Sequence, residues 1–144
     1  MPSLLTVGHG TLDRVALEYF WDERLGGRRH LPHGMAAIDT WWTEAAFRAY
    51  AAHTRTEEFA AGLTDLLAAV SMQQVVIMCS ETLWWRCHRR LIADVATLVH
   101  RVHVDYLLPS GREHHNLAAG ARLTIDGHVV WDGGASQLPI GSDF

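Results

Sequence analysis

Val75-Val76-Ile77-Met78 is a run of consecutive apolar residues near the middle of the chain. On both sides it is bounded by stretches whose apolar residues recur with helical spacing. A strand covered by helices on both faces needs apolar side chains that point in both directions. The run therefore predicts a central strand of a parallel sheet, and the strand–helix–strand order that begins with it indicates an α/β fold with right-handed crossovers.

Two helices are predicted before this strand and one after it, at residues 43–53, 54–70 and 83–98. The second has the clearest amphipathic period, because its apolar residues recur three and four positions apart. Those residues are Phe59, Leu63, Leu66, Leu67 and Val70. Thr54 followed by Glu57 resembles a capping box, which predicts that this helix starts near Thr54.

Further strands are predicted at residues 4–7 and 102–107. Asp126-Gly127, between Leu123-Thr124-Ile125 and residues 128–131, is typical of a hairpin with a type I′ turn. The predicted fold is a three-layer, Rossmann-like α/β fold, in which helices flank a parallel sheet and a β-hairpin follows. Residues 1–132 are expected to form one domain and residues 133–144 a loose tail.

The composition limits the class of protein. The chain has 144 residues, enough for one hydrophobic core, with 49% apolar and 19% charged residues. A net charge of −4 argues against a strongly basic nucleic-acid binder, so any nucleic-acid contact requires a local patch. We find no apolar stretch near the roughly 20 residues of a membrane span and no signal peptide. We expect a cytoplasmic protein with reduced thiols and no membrane partner, and self-association stays open.

Residues 78–90 combine two thiols, a carboxylate, an imidazole, three arginines and two tryptophans directly after the apolar run. In open parallel sheets, ligands bind outside the carboxyl ends of the strands. Cys79 and Glu81 are therefore predicted at the edge to which the first strand brings Gly8-His9-Gly10. The following helix carries Cys87-His88-Arg89, and its N-terminus favours an anion.

Three interpretations of this cluster stay open. In the first, Cys79 or Cys87 is a nucleophile whose thiolate is favoured by nearby cations, and Glu81 or His88 moves protons. In the second, these groups together with His9 bind a metal ion, although their spacing matches no standard zinc pattern. In the third, the cysteines are small buried apolar residues and Glu81 is the functional group, held by an arginine.

Other candidates allow both a functional and a structural interpretation. Gly26-Gly27-Arg28-Arg29 is either a cradle for a phosphate or carboxylate, or a basic surface turn. Trp41-Trp42 and Trp84-Trp85 either stack a base or sugar, or belong to the core. Most of the ten histidines are expected to be incidental, and a metal-ligand role stays open for His114-His115.

Cys79-x-Glu81 followed by Cys87-His88-Arg89 resembles the motif of the bacterial and archaeal domain-of-unknown-function family 488. The resemblance extends over most of residues 4–107. Its other segments are Thr6-Val7-Gly8-His9-Gly10, Leu25-Gly26-Gly27-Arg28-Arg29, Phe47-Arg48-Ala49-Tyr50-Ala51, Glu58-Phe59-Ala60-Ala61-Gly62-Leu63 and Arg90-Leu91-Ile92-Ala93.

The resemblance implies a three-layer α/β fold with these motifs around one pocket, and it suggests a link to nucleotide or nucleic-acid processing. It supplies no reaction. Family members carry a further segment before the leucine-glycine-glycine motif, and that segment contains a strand ending in Asp-Val-Arg. In this chain the segment is missing, and residues 12–19 run directly past the point where it would lie. The chain thus lacks the acidic and basic pair that would face Cys79 and Glu81, and we expect an exposed sheet edge beside the first strand.

We expect a small enzyme that acts on an anionic ligand, such as a nucleotide or nucleic acid. Glu81 is the predicted general acid or base, Cys79 the nucleophile or thiol ligand, and His88 and His9 the proton carriers. The predicted ligand-binding residues are Gly8, Gly10, Gly27, Arg28, Arg89, Trp41 and Tyr50, and the candidate metal ligands are Cys79, Cys87 and His88. The alternatives are a metal- or nucleic-acid-binding module without catalysis, and a degenerate member that acts through a partner.

Overall fold

The computed structural model describes residues 3–8, 22–79 and 86–133. Within these ranges the chain forms six strands, three α-helices and a short 3-10 helix at Glu23–Leu25. The strands are β1 (Ser3–Gly8), β2 (Val76–Cys79), β3 (His103–Leu108), β4 (Gly111–His114), β5 (Ala121–Leu123) and β6 (Val129–Trp131). The α-helices are α1 (Ala45–His53), α2 (Glu57–Met72) and α3 (Arg89–His100).

Four strands form one sheet in the order β2-β1-β3-β4. β1 is parallel to both of its neighbours, and β4 is antiparallel to β3. β5 and β6 form a separate antiparallel hairpin. The predicted α/β fold, with a mostly parallel sheet, flanking helices and a C-terminal hairpin, is confirmed.

The central strand is β1 rather than β2. β1 pairs with β2 on one side and with β3 on the other, so β2 lies at an edge of the sheet within the described residues. Leu4 and Leu5 of β1 are almost fully buried, whereas Val76 and Ile77 of β2 are half-buried. Among the described residues, the predicted central strand at residues 75–78 is therefore an edge strand, because an apolar run also suits a partly covered edge strand. The predicted exposed edge beside the first strand is wrong, since both sides of β1 are paired.

α2 and α3 pack on one face of the sheet. Side chains at equivalent positions of parallel neighbours point the same way, so Leu4 of β1 and Val104 of β3 share this face. Both belong to an apolar cluster with residues of the two helices, namely Val70, Ala93 and Ala96. Each fully buried large apolar side chain contributes about 1.5–3 kcal/mol. Leu5, which points to the opposite face, is buried too.

The helices α2 and α3 both start later than predicted. α2 starts at Glu57, and its N-cap is Thr56, whose hydroxyl accepts a hydrogen bond from the Phe59 amide at 3.2 Å. Thr54, the predicted cap, instead ends α1 and donates its hydroxyl hydrogen to the Ala51 carbonyl. α3 starts at Arg89 rather than residue 83, and residues 80–85 lie outside the described part of the chain.

The hairpin is confirmed, but its turn differs from the predicted type I′. A type I′ turn needs positive φ angles at both central residues. Among the described residues Arg101 is the only non-glycine residue with positive φ, so Asp126 does not have this conformation. Gly127 does, with φ 87°, and its amide donates to the Thr124 carbonyl at 3.0 Å. The loop therefore consists of the three residues between Thr124 and His128. The Thr124 amide donates a hydrogen bond to the His128 carbonyl at 2.7 Å.

The carboxylate of Asp94 on α3 joins three parts of the fold. It is 0% exposed, and it accepts hydrogen bonds from Trp131 Nε1 of β6 at 2.9 Å and from the Ala118 amide at 3.3 Å. His115 Nε2 lies 2.7 Å from Asp94 Oδ1, and His115 Nδ1 lies 2.6 Å from the hydroxyl of Tyr106 on β3. The network therefore fixes α3 to both the sheet and the hairpin.

The longest described α-helix, α2, has 16 residues. Across residues 3–8, 22–79 and 86–133, we find no helix with the length and apolar character required to cross a bilayer. The predicted tail starts at residue 133, and everything after that residue lies outside the described ranges.

Asp94→Asn is expected to lower the free energy of unfolding by about 3 kcal/mol. The side-chain NH2 group would face a hydrogen-bond donor in place of an acceptor oxygen, and the charged pair with His115 would be lost. Asp65→Asn is the matched control: its side chain is 67% exposed and lies 3.0 Å from Arg24. We expect a loss below about 1 kcal/mol there. Urea unfolding measures both, and equal losses would contradict the proposed role of Asp94.

Candidate functional site

The carboxyl ends of β1 and β2 lie side by side. Gly8 ends β1, Cys79 ends β2, and the two residues are direct partners in the parallel ladder. This agrees with the expectation that the two motifs reach one edge of the sheet. The predicted residues His9, Gly10 and Glu81 lie outside the described ranges, as does the side chain of Cys79.

Cys87 lies two residues before the start of α3, and its thiol accepts hydrogen bonds from two donors of Arg89. The cysteine is 4% exposed. Its Sγ atom accepts from the Arg89 amide at 3.4 Å and from Arg89 Nε at 3.3 Å. A guanidinium ion and a helix N-terminus both favour the thiolate over the thiol. The arrangement is therefore suited to holding a negative charge on sulfur.

Arg89, a predicted ligand-binding residue, is buried with 1% exposure. Besides Cys87, it contacts Thr6 of β1, whose hydroxyl lies 3.4 Å from Arg89 Nη1. Thr6 precedes the end of β1 by two residues, so Arg89 connects the start of α3 to the strand end. Of the neighbouring arginines, Arg86 is exposed.

His88 is half-buried beside this thiol, with Nδ1 3.5 Å from Cys87 Sγ. Burial lowers the pKa of His88 to about 4, and the charges of Arg89 and Arg29 contribute, while a hydrogen bond with the Leu25 backbone acts in the opposite direction. The imidazole is therefore neutral near pH 7. A neutral imidazole next to a thiol can form a hydrogen bond with the sulfur, and a pKa of about 4 makes it a weak base.

Gly27 permits the close approach of His88 to the leucine-glycine-glycine loop. A Cβ atom built on Gly27 would lie 2.5 Å from His88 Nδ1, closer than a methyl group can approach a ring atom. The ring of Tyr50 packs on the same imidazole, with 5.0 Å between centroids. In this structure Gly27 thus has a packing role at the candidate site.

Two side chains of α1 form hydrogen bonds with backbone carbonyls at the start of the leucine-glycine-glycine loop. The Tyr50 hydroxyl donates to the Leu25 carbonyl at 2.7 Å, and His53 Nε2 lies 2.7 Å from the Arg24 carbonyl. Burial raises the pKa of Tyr50 and lowers that of His53. Tyr50, a predicted ligand-binding residue, is fully buried here and supports the loop.

Arg29 is the half-buried cation of this loop, and its charge contributes to the lowered pKa of His88. Arg28, the predicted ligand-binding residue, is exposed. Arg29 is half-buried, and its guanidinium donates to the carbonyls of Gly26, at 3.2 Å, and of Glu23. Sequence reasoning did not select Arg29, because two adjacent arginines in a loop give no signal for which one points inward.

Trp41 and Trp42 line a cleft of about 220 Å³ together with Phe47 and Arg90. The Arg90 guanidinium lies 5.0 Å from the Trp42 ring centroid and 5.8 Å from that of Trp41, which is typical of cation–π contacts. A Cβ atom on Gly120 would lie 2.2 Å from Trp41, so this ring packs directly on the backbone there. The cleft is smaller than the roughly 300 Å³ of ordinary ligand pockets.

The described residues contain one group with the geometry of a metal site, and it lies away from the cysteines. It consists of His103, Asp105 and His114, whose ligand atoms are all within 4.8 Å of one another. Sequence reasoning kept a metal role open for His114-His115 but did not select His103 or Asp105, since their proximity depends on the pairing of β3 with β4. His115 belongs to the Asp94 network instead.

Residues 9–96 match a known protein family, described as Domain of unknown function DUF488. The chain belongs to this family. The match covers more than half of the 144 residues and includes the leucine-glycine-glycine loop, α1, α2, β2 and most of α3. It confirms the resemblance drawn from the sequence motifs. No curated protein and no solved structure matches the chain.

In this DUF488 protein, Gly27→Ala is expected to cost about 1–3 kcal/mol of unfolding free energy, because His88 must move to admit the methyl group. The displaced imidazole becomes more solvated, so its pKa should rise. Gly26→Ala is the matched control with a smaller expected loss, since its Cβ atom would lie 3.2 Å from the Glu23 carbonyl oxygen, a tight contact that does not involve His88. Urea unfolding and an NMR titration of His88 test both effects. An unchanged His88 titration in Gly27→Ala would contradict this packing.

The lowered pKa of His88 predicts that acid destabilises the fold. Between about pH 6.5 and 4 the unfolded chain binds a proton that folded His88 does not, so the unfolding free energy falls as the pH falls through this window. The limiting loss is about 3 kcal/mol. Urea unfolding of the wild type and His88→Gln at several pH values isolates this histidine from His53, whose pKa is also lowered. If the unfolding free energies of the two proteins changed with pH in parallel, the lowered pKa of His88 would be contradicted.

Proposed function

We propose that the protein is a small enzyme that uses thiol chemistry on an anionic ligand of the nucleotide or nucleic-acid class. The observation that carries the proposal is the placement of the buried Arg89 guanidinium and the amide at the start of α3 on the sulfur of Cys87. The family itself assigns no reaction. The proposal therefore depends on the chemistry of these side chains.

Cys87 is the proposed nucleophile, with Cys79 at the adjacent strand end as the second candidate. Arg89 stabilises the thiolate, and the neutral imidazole of His88, with Nδ1 3.5 Å from Sγ, is positioned as its hydrogen-bonding partner and proposed proton carrier. Attack forms a bond from sulfur to the electrophilic atom of the ligand and breaks the bond to the leaving group, which takes a proton from the acid form of Glu81. Water then attacks the covalent intermediate, gives its proton to the Glu81 carboxylate left by the first step, and releases the thiolate. His9 remains a proposed proton carrier.

Positive charge around the thiol favours an anionic ligand. Arg89 contributes from within the fold, and Arg29 lies close enough to lower the pKa of His88. Arg28 is exposed on the same loop, which suits a side chain that closes over a bound anion. Gly8 and Gly10 are proposed to let the backbone approach the ligand. In this proposal Trp41 contributes an aromatic surface at the neighbouring cleft.

Alkylation of the two cysteines by iodoacetamide, followed by mass spectrometry as a function of pH, tests the thiolate. In Cys79→Ser protein, modification of Cys87 is expected to reach half its maximal rate below about pH 8.5, the value for an ordinary thiol. Burial lowers the rate, so the midpoint of the pH profile is the measurement. Arg89→Lys should move the midpoint upward, because lysine cannot reproduce the donor pair on sulfur.

An assay against nucleotides and phosphate esters tests turnover in the same preparations. Activity should fall at least about 100-fold in Cys87→Ser and in Glu81→Gln. Arg101→Lys, at the opposite end of α3, is the matched control and should retain activity. An alkylation midpoint at or above that of an ordinary thiol, unaffected by Arg89→Lys, would contradict thiol catalysis. Ligand binding without turnover would favour a binding module.

A further inference from the structure

His103, Asp105 and His114 form a cluster at the other end of the sheet from the candidate thiol site. His103 begins β3 and is paired with Ser3, the first residue of β1. The thiol site lies at the opposite, carboxyl end of β1. The cluster therefore belongs to neither the family motif nor the proposed reaction.

The strand register explains why these three side chains meet. Residues two apart on a strand point to the same face, so His103 and Asp105 are neighbours on β3. His114 of β4 is the direct partner of Asp105 in the antiparallel ladder, so it points to this face as well. The group is thus positioned by backbone hydrogen bonds rather than by flexible loops.

The three ligand atoms lie close enough together to bind one metal ion after a small shift that breaks the direct contact between His103 and Asp105. His103 Nε2 lies 2.8 Å and His114 Nδ1 lies 3.5 Å from Asp105 Oδ1. Ligand atoms of a tetrahedral zinc ion with bonds near 2.0–2.1 Å are separated by about 3.3 Å. The two imidazoles are now stacked at 4.5 Å with 20° between their planes, so they must tilt for their lone pairs to converge. Their exposure leaves room for that movement.

We propose that His103, Asp105 and His114 bind a divalent transition-metal ion, with Zn²⁺ as the best match. Two imidazoles and one carboxylate suit Zn²⁺ and disfavour Mg²⁺ and Ca²⁺, which require oxygen ligands. Asp105 is 7% exposed and held in place, whereas both histidines are open to solvent, so an ion reaches the site without a change in fold. Water completes the coordination.

Arg112 is the charged group that opposes this ion. Its Nη1 atom lies 3.8 Å from Asp105 Oδ2, whereas the contacts of His103 and His114 are with Oδ1. The carboxylate is therefore shared, with Oδ2 towards Arg112 and Oδ1 towards the histidines. Such a partner orients a ligating carboxylate, as outer-shell groups do in metal sites.

Metal binding would join β4 to β3 through side chains. All four residues of β4 are exposed, and among the described elements β4 pairs with β3 only. An ion that binds the folded protein and not the unfolded chain raises the melting temperature, and the rise grows with the logarithm of the free ion concentration above the Kd. A stabilising clamp on this edge strand is the expected role of the site.

Titration of the chelator-treated, tag-free full chain with Zn²⁺, in competition with a chromophoric chelator, tests the proposal. One equivalent should bind, and the melting temperature should rise with Zn²⁺ concentration. His114→Ala and Asp105→Asn should each weaken binding at least about tenfold, because each removes a ligand. His128→Ala removes an exposed histidine of the hairpin and is the matched control, which should bind as the wild type does.

Co²⁺ substitution separates this site from the cysteines. Nitrogen and oxygen ligands give only weak visible bands, whereas a thiolate ligand adds intense near-ultraviolet absorption. A weak spectrum that disappears in His114→Ala and persists in Cys87→Ser supports the proposal. Stoichiometric binding that survives His114→Ala and is lost in Cys87→Ser, or no binding by a folded wild-type protein, overturns it.

Discussion

The buried carboxylate of Asp94 is the interaction on which the arrangement of this molecule depends. It lies on α3 and receives donors from Trp131, His115 and the Ala118 amide. An unpaired carboxylate in the same place would cost several kcal/mol, so the fold is stable only when all three donors are in position. The network thus specifies a single packing of helix, sheet and hairpin, which apolar contacts alone would define less sharply.

The same helix carries the candidate thiol site at its first turn. Because Asp94 fixes α3 against β3, Arg89 at the helix start is held beside Thr6 of β1. Thr6 and Tyr106 are partners in the sheet, so the thiol site and the Asp94 network lie on one continuous face. The core network therefore supports the position of the guanidinium on the sulfur atom.

Patterns with a short period were predictable from the sequence, and pairings between distant segments were not. The period of α2 and the apolar residues of β1 and β3 were sufficient to predict the α/β fold. The edge position of β2 depends on which strands pair, and β4 has no apolar period because all its side chains are exposed. At the site, the motif identified Cys87 and His88, while the inward side chain of Arg29 and the contact of Gly27 with His88 depend on the packed loop.

β3 connects the two chemically distinctive regions of the molecule. Successive residues of a strand point to opposite faces, so Tyr106 faces the Asp94 network while its neighbour Asp105 faces the two exposed histidines. No side chain is shared between the regions. A metal clamp on one face and a thiol site on the other can thus coexist on a four-stranded sheet, because alternation along β3 keeps their ligands separate while the backbone of one strand supports both.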